Sequence, residues 1–434
     1  MPMSPDFERR LLPILPEILQ AFPTPLIILD ELGMRQTGAR LKAAFGRTET
    51  QNHYAMQQFF AVKAQPIPWV LRLMIAMGFG HDCSSIGDLI LSSAAGGSPD
   101  RTMFTSNNTS VEEFEFAMRQ GSLLNLDDLS FVSRVPIPFP RRICFRDNPG
   151  SAREGGTIIG RLDKCKYGVP SPTLIEAYRQ ARERGAQEFG IHAMLYSNQP
   201  DYSYFVQTVE MLLLRSEQLQ AKLGIQIGFM NIGGGFGIPY KPGDPSFDLE
   251  ALAAAAKRLL DEFRQAHGYA PALWMESGRF MTGPHGVLVV KCINVMHKWL
   301  DFVGVDGACT ATIKRPAMYH AEGGGYHHIS VVNGHGRPKK LYGGVVGPVC
   351  EDCDRFGWDR ELPEVKEGDI LLVYDTGAHC RPMADNYNNH CRPATVVVRE
   401  DNSVELIQRA ETYDDMFATY QFEFKKISPR AIVA

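Results

Sequence analysis

The stretch Phe59-Phe60-Ala61-Val62-Lys63-Ala64-Gln65, followed by Pro66 and Pro68, sets the reading of the whole chain. Aromatic and β-branched residues suit a pleated strand, and the prolines cannot continue its hydrogen-bond ladder. From Pro68 onward Val70, Leu71, Leu73, Met74 and Met77 recur at helical spacing. Lys63 is therefore expected at the end of a strand, where a helix takes over. Its amine becomes a nucleophile once its proton is lost, as in Schiff-base chemistry. Taken alone it reads as an ordinary exposed lysine; the rest of the chain changes that.

The same strand-then-helix rhythm recurs downstream. Strands are predicted at residues 59–63, 80–83, 102–105, 123–126, 143–147, 190–195, 226–232 and 273–276. Between several of them lie helical patterns. Ser110 precedes Glu112 and Glu113 as a cap, and residues 173–183 and 249–267 are amphipathic. Eight strands with helical crossovers predict an α/β fold, a parallel (β/α)8 TIM barrel. Past Pro284 the texture becomes β-rich, at residues 286–295, 368–374 and 394–398, with turns such as Asn333-Gly334 and no long helix. This predicts a C-terminal all-β domain. The organisation expected is an N-terminal segment over 1–35, a barrel over 36–284 and the β-domain over 285–434. Residues 24–29 are strand-like and are expected to pair with that second domain.

Composition narrows the class. Hydrophobic content of 44% and charged content of 22% are those of an ordinary globular protein. A net charge of -4 gives no electrostatic case for nucleic acid or an anionic membrane. The first twenty residues lack an apolar signal-peptide core, and no window approaches a spanning helix. Nine scattered cysteines point to reduced thiols and a cytoplasmic setting. Cys350-Glu351-Asp352-Cys353 has zinc-like spacing, but the later His379, Cys380, His390 and Cys391 do not complete it, so no metal is expected.

Active residues of such barrels sit at the carboxyl ends of strands, with a phosphate site often formed after strands seven and eight. The predicted seventh strand ends in Asn231-Ile232-Gly233-Gly234-Gly235-Phe236-Gly237, whose backbone can approach an anion closely. The eighth ends at Met275-Glu276-Ser277-Gly278-Arg279 and closes against the first, placing Glu276 on the rim with Lys63. An amine, a phosphate cradle and a carboxylate at one mouth are what pyridoxal 5'-phosphate needs.

These residues carry a family resemblance. Phe60-Ala61-Val62-Lys63-Ala64 resembles the cofactor-lysine motif of the fold-type III pyridoxal-phosphate decarboxylases, the ornithine, arginine and diaminopimelate decarboxylases, whose barrel is related to that of alanine racemase. His81-Asp82-Cys83-Ser84-Ser85, Ile232-Gly233-Gly234-Gly235 and Glu276-Ser277-Gly278-Arg279 resemble further family motifs. Arg315-Pro316-Ala317-Met318-Tyr319, Tyr326-His327-His328-Ile329, Gly347-Pro348-Val349-Cys350-Glu351 and Asp385-Asn386-Tyr387-Asn388 look like the diaminopimelate branch.

The resemblance implies roles. Lys63 would carry the cofactor; Gly233, Gly234, Gly235, Ser197 and Tyr387 would bind its phosphate; Glu276 would face the pyridine nitrogen, with Ser277, Gly278 and Arg279 beside it. Arg279, Arg315, Tyr319, Glu351 and Tyr387 would hold an amino-acid substrate, and Cys350 would supply a proton after carbon dioxide leaves. In the family that cysteine serves the partner's site, so a homodimer is implied. The implied reaction is decarboxylation at a D-configured centre, with meso-diaminopimelate going to L-lysine, or else a D-ornithine or D-lysine decarboxylation. A catalytically silent regulatory relative is the reading from another class, and the presence of Lys63, Glu276, Cys350 and Tyr387 speaks against it. A racemase would need a second acid/base on the opposite face, which the Cys350 motif does not suggest. Four departures stand out, one being Ser277 in place of the proline of the family's Glu-Pro-Gly-Arg. Met194 occupies the position of the family's cofactor-stacking histidine, Tyr196 replaces a glycine, and residues 322–325 lengthen the loop after Tyr319.

Overall fold

In the computed structural model, residues 3–46, 56–320, 324–421 and 423 are described. Of the lengthened loop, Glu322 and Gly323 therefore lie outside the described residues. The eight expected barrel strands are all present: β2 (Gln57–Ala61), β3 (Gly80–Cys83), β4 (Thr102–Phe104), β5 (Leu123–Leu126), β6 (Arg142–Asn148), β8 (Glu188–His192), β9 (Ile227–Asn231) and β10 (Ala272–Met275). They pair in parallel in the order β5-β4-β3-β2-β10-β9-β8-β6, and β5–β6 pairing closes the ring. A two-residue β7 (Val169–Pro170) hangs from β6.

Helices cover the outside, among them Pro68–Ala76, Val111–Arg119, Ser171–Glu183, Ser203–Leu223 and Leu249–His267. The start of Val111–Arg119 is fixed by a capping box, in which Ser110 accepts from the Glu113 N–H and Glu113 reaches back to the Ser110 N–H. Among the described residues no long helix follows β10. Its place in the outer ring is taken by Glu31–Phe45, which precedes β2 and packs on Leu249–His267, with Arg40 and Glu250 paired across the contact.

The second sheet contains β11 (Gly286–His297), β12 (Asp301–Val305), β13 (Ile329–Val331), β14 (Lys339–Val346), β15 (Arg355–Pro363), β16 (Ile370–Val373), β17 (Ala394–Val398) and β18 (Val404–Gln408). One further strand joins it from the other end of the chain. β1 (Leu26–Asp30) lies between β11, to which it is antiparallel, and β17, to which it is parallel. The helix Pro5–Ala21 lays Phe7, Leu11, Leu15 and Ile18 on this sheet, against Leu26, Ile28, Val287, Val289, Val396 and Val398. Residue 35 falls inside the helix Glu31–Phe45, so the chain passes from one unit to the other at Asp30, where strand becomes helix.

Two strand ends differ from the sequence-based expectation by more than one residue. β2 stops at Ala61, and Lys63 sits in a single 3-10 turn, Val62–Ala64, which the Gln65 N–H closes on the Val62 carbonyl. β8 stops at His192. After it only the Ala193 N–H still bonds to β9, at Asn231, while Arg146 Nη2 takes the Met194 carbonyl at 2.9 Å.

Because the N-terminal helix covers the β-sheet through a few large side chains, Phe7→Ala is expected to destabilise the protein by about 3–5 kcal/mol, the usual cost of emptying a buried aromatic site. Denaturant unfolding followed by fluorescence checks this; a change within experimental error would show that the helix contributes little to that core.

Candidate active site

Residues two apart on a strand share a face, so each barrel strand sends successive side chains inward in layers. The lower layer is apolar, with Phe59, Met103, Cys144, Phe229 and Trp274 in one cluster. Gly190 belongs to this level, and a Cβ there would fall inside the Phe229 ring. Two residues further along the same strands the interior turns polar. Asp82, Thr105, Asn125, Arg146, His192, Asn231 and Glu276 are all buried. Several bond to one another: Asn125 Nδ2 donates to Thr105 Oγ1 at 3.2 Å and Thr105 Oγ1 to Asp82 Oδ1 at 3.3 Å. Asn231 Nδ2 donates to Glu276 Oε1 at 2.8 Å, and His192 Nε2 lies 3.3 Å from Glu276 Oε2. Arg146 Nη1 reaches Asp127 Oδ1 at 3.3 Å.

Lys63 stands over this layer with its side chain 53% exposed and its Nζ 4.0 Å from Asp82 Oδ2. Burial, with Glu276 adding to it against the opposing pull of Lys63, pushes the Asp82 carboxyl up to about 8. Glu276 goes the other way. Burial alone would raise it, but His192, Lys63 and Arg146 together outweigh that and hold it below the usual carboxylate range. Two buried carboxyls so placed do not both ionise. At neutral pH Asp82 keeps its proton, and Glu276 is the anion.

Beside Glu276 lies the glycine loop. The Glu276 N–H donates to the Gly233 carbonyl at 2.8 Å. Gly233 and Gly235 hold φ of 70° and 94°, where a side chain would be strained. Cβ atoms at Gly233, Gly234 and Gly235 would collide with the carbonyl oxygens of Ala193, Glu276 and Tyr196. The Gly233 N–H donates to Asn231 Oδ1 at 2.9 Å and the Gly234 N–H to Met194 Sδ at 3.3 Å. Met194 thus covers the loop with a thioether. Ser197 accepts from Arg279 Nη2 at 3.3 Å, adding a hydroxyl and a guanidinium. Gly278 permits close packing, since a Cβ there would lie 2.7 Å from that of Ala64. Ser277 is buried, and its carbonyl accepts from Gln58 Nε2 at 3.0 Å. A loop that only glycines can form, an exposed amine and a carboxylate held ionised beside an imidazole suit pyridoxal 5'-phosphate.

Outward from the loop are the other expected arginines. Arg279 Nη1 donates to the Tyr240 hydroxyl, and the Arg315 guanidinium lies 4.6 Å over the Tyr240 ring and 5.8 Å from that of Tyr319. Arg315, Tyr240 and Ser197 help line a cavity of about 240 Å³. A loop of the β-domain closes over this side. The His379 N–H donates to the Ala64 carbonyl at 2.9 Å, and Gln65 Nε2 to that of Gly377 at 3.2 Å. Burial, reinforced by Arg279, Lys63 and Arg315, pushes the His379 imidazole far down, so it is neutral.

Cys350, Glu351 and Tyr387 form a separate exposed group. The Tyr387 hydroxyl donates to Glu351 Oε1 at 3.3 Å, and Cys350 Sγ lies 3.3 Å from Asn388 Oδ1. Their described hydrogen bonds run among themselves and to neighbours in the β-domain, not to Lys63, Glu276 or the glycine loop of the same chain. Tyr387 therefore does not join Gly233–Gly235 within one chain. The sequence reading assigned no role to Asp82, Arg146, His192, Asn231, Tyr240 or His379. The first four were findable, because each lies an even number of residues from an interior apolar position or in a motif already singled out. Tyr240 and His379 lie in loops, where no periodicity reports direction.

Residues 39–283 match the family described as pyridoxal-dependent decarboxylase, pyridoxal binding domain. The chain is similar to Protein TabA of Pseudomonas amygdali pv. tabaci, at 39% identity over 98% of this chain and 97% of that protein. It is 34% identical to the diaminopimelate decarboxylase of Methanothermobacter thermautotrophicus over 92% of each. The crystal structure of diaminopimelate decarboxylase from M. jannaschii in complex with L-lysine matches with a TM-score of 0.86 at 28% identity, covering 94% of both chains. Among the described residues no helix is long and apolar enough to cross a membrane. With a barrel, lysine and glycine loop of this arrangement and a match over more than half its length, the chain belongs to the pyridoxal-dependent decarboxylases.

Proposed function

We propose that the protein removes carbon dioxide from the D-configured centre of meso-diaminopimelate to give L-lysine. Arg315 carries this reading. Its side chain is 1% exposed, yet Nε and Nη1 have no partner among the described residues. A buried cation without a counter-ion is costly, and a carboxylate offers two oxygens to two free N–H groups. A substrate with a second carboxylate completes the site, whereas D-ornithine or D-lysine would bring an amine to a guanidinium. The relatives named as diaminopimelate decarboxylases support the same choice.

Pyridoxal phosphate, when bound, supplies the sink for the electron pair left as the Cα–carboxylate bond breaks. Lys63 holds it through its amine. The loop Gly233, Gly234 and Gly235, with Ser197 and Arg279, would hold its phosphate. Glu276, kept ionised by His192, holds a proton at the pyridine nitrogen; Ser277 and Gly278 let that strand end pack against Ala61 and Ala64. Arg315 and Tyr319 orient the far carboxylate, and Arg279 adds positive charge there. Cys350 delivers the proton that replaces carbon dioxide at Cα. Since Cys350, Glu351 and Tyr387 are exposed on their own chain, they serve the mouth of a second copy, where Glu351 and Tyr387 meet substrate and phosphate. The working unit is a homodimer.

Purified protein supplied with the cofactor is expected to show a visible absorption band and to release carbon dioxide from meso-diaminopimelate, with both lost in Lys63→Ala. Release from D-ornithine but not from diaminopimelate would overturn the substrate assignment. Arg315→Met is expected to lower kcat/KM on diaminopimelate by roughly 30–100-fold, the worth of a buried charged hydrogen bond. A variant that turns over normally would mean another residue holds the far carboxylate. Mixing Lys63→Ala with Cys350→Ser, each inactive alone, is expected to restore about a quarter of the activity, since half the dimers are mixed and each carries one complete site. No recovery after subunit exchange would place both residues in the same chain's site.

A further inference from the structure

The cations of the site do not stop at Arg315. Lys241 lies 5.3 Å over the Tyr326 ring and Arg360 4.0 Å over the same ring. Tyr326 and Lys241 line the cavity that contains Arg315, and they also line a neighbouring cleft of about 180 Å³ with Arg360, His320, Gly325 and Trp358. His320 and Trp358 stack at 3.7 Å and 11° to form one wall. Arg279, Arg315, Lys241 and Arg360 thus follow one another along Tyr240, Tyr319, Tyr326 and Trp358.

No carboxylate lies within ion-pair distance of any of these four cations among the described residues, although most arginines elsewhere in the chain are paired. Asp244 Oδ2 is in the first cavity but accepts from the Lys241 backbone N–H at 3.0 Å. Arg360 Nε is buried without a partner, and Arg360 Nη2 finds only the His327 carbonyl, at 3.4 Å. A part-buried guanidinium and an exposed ammonium held over one aromatic face form a receptor for acidic groups, with the ring taking the apolar linker. The outer cleft offers several times the roughly 30 Å³ that one water fills, so it has room for a short acyl group.

We infer that the substrate channel continues beyond Arg315 into an outer anion subsite formed by Lys241 and Arg360 around Tyr326, and that the protein accepts amino acids whose far end is extended by a further acidic group. This rests on the proposed reaction at Lys63 and widens its substrate class from a free diamino diacid to one carrying a dicarboxylic acyl extension on its distal amine.

The test is isothermal titration of cofactor-loaded protein with meso-diaminopimelate and with the same compound succinylated on its L-centre amine, with carbon dioxide release followed in parallel. The succinylated compound is expected to bind at least as tightly as the free one. The ratio of the two dissociation constants is expected to shift against it by about tenfold in Arg360→Met and in Lys241→Met, one charged contact's worth. Weaker binding of the succinylated compound to the wild type, or an unchanged ratio in both variants, would overturn the subsite. Binding of both compounds with the expected ratios but no carbon dioxide from either would leave the subsite standing and sink the proposed reaction instead.

Discussion

A carboxylate held ionised in the middle of a protein is the constraint on which this structure turns. Glu276 is 6% exposed at the end of a barrel strand. Ionising a group there is costly unless positive charge and hydrogen-bond donors surround it. Asn231 and His192 touch it, Arg146 and Lys63 lie close enough to favour its charge, and the competing Asp82 stays protonated. Each comes from a different strand end or the turn after one, so only a closed ring brings them together. Closure is therefore an electrostatic condition of the site as well as a way of hiding strand edges.

The two units are interlocked rather than strung together. Before the barrel begins, the chain lays a helix and β1 into the sheet that its C-terminal half completes. That sheet in turn sends a loop back over the barrel mouth, where His379 and Gly377 bond to the turn carrying Lys63. The β-domain thereby fixes the segment that presents the amine, and its neutral His379 adds no further charge to a crowded set of cations.

Reaction type and substrate choice draw on different parts of this arrangement. The proposed chemistry draws on the polar layer, the lysine turn and the glycine loop, all anchored at strand ends and packed so closely that the glycines tolerate no Cβ. In the proposed function the amino acid is selected by Arg279, Arg315 and the aromatic rings beneath them, which stand on short helices and loops. Loops change at little cost to a barrel core, so substrate choice can drift while the reaction stays. Met194 sits at the boundary, since its carbonyl is held by Arg146 while its sulfur meets the glycine loop.

The chain's alternation of strand and helix patterns determined the barrel, because period two and period 3.6 are local properties that survive in a linear text. The lysine after residues 57–61, the four glycines after Asn231 and the acid after Met275 were legible for the same reason, each following a strand. The ends of β2 and β8 were misjudged by two and three residues, since a 3-10 turn and a side-chain bond to the Met194 carbonyl ended them, and neither is written in hydrophobic pattern. Which of two buried carboxyls keeps its proton, which guanidinium is left without a partner, and that Cys350 and Tyr387 stand apart from Lys63 of their own chain were decided only by the tertiary structure. Those are matters of distance and burial between residues far apart in sequence, and a sequence carries no distances.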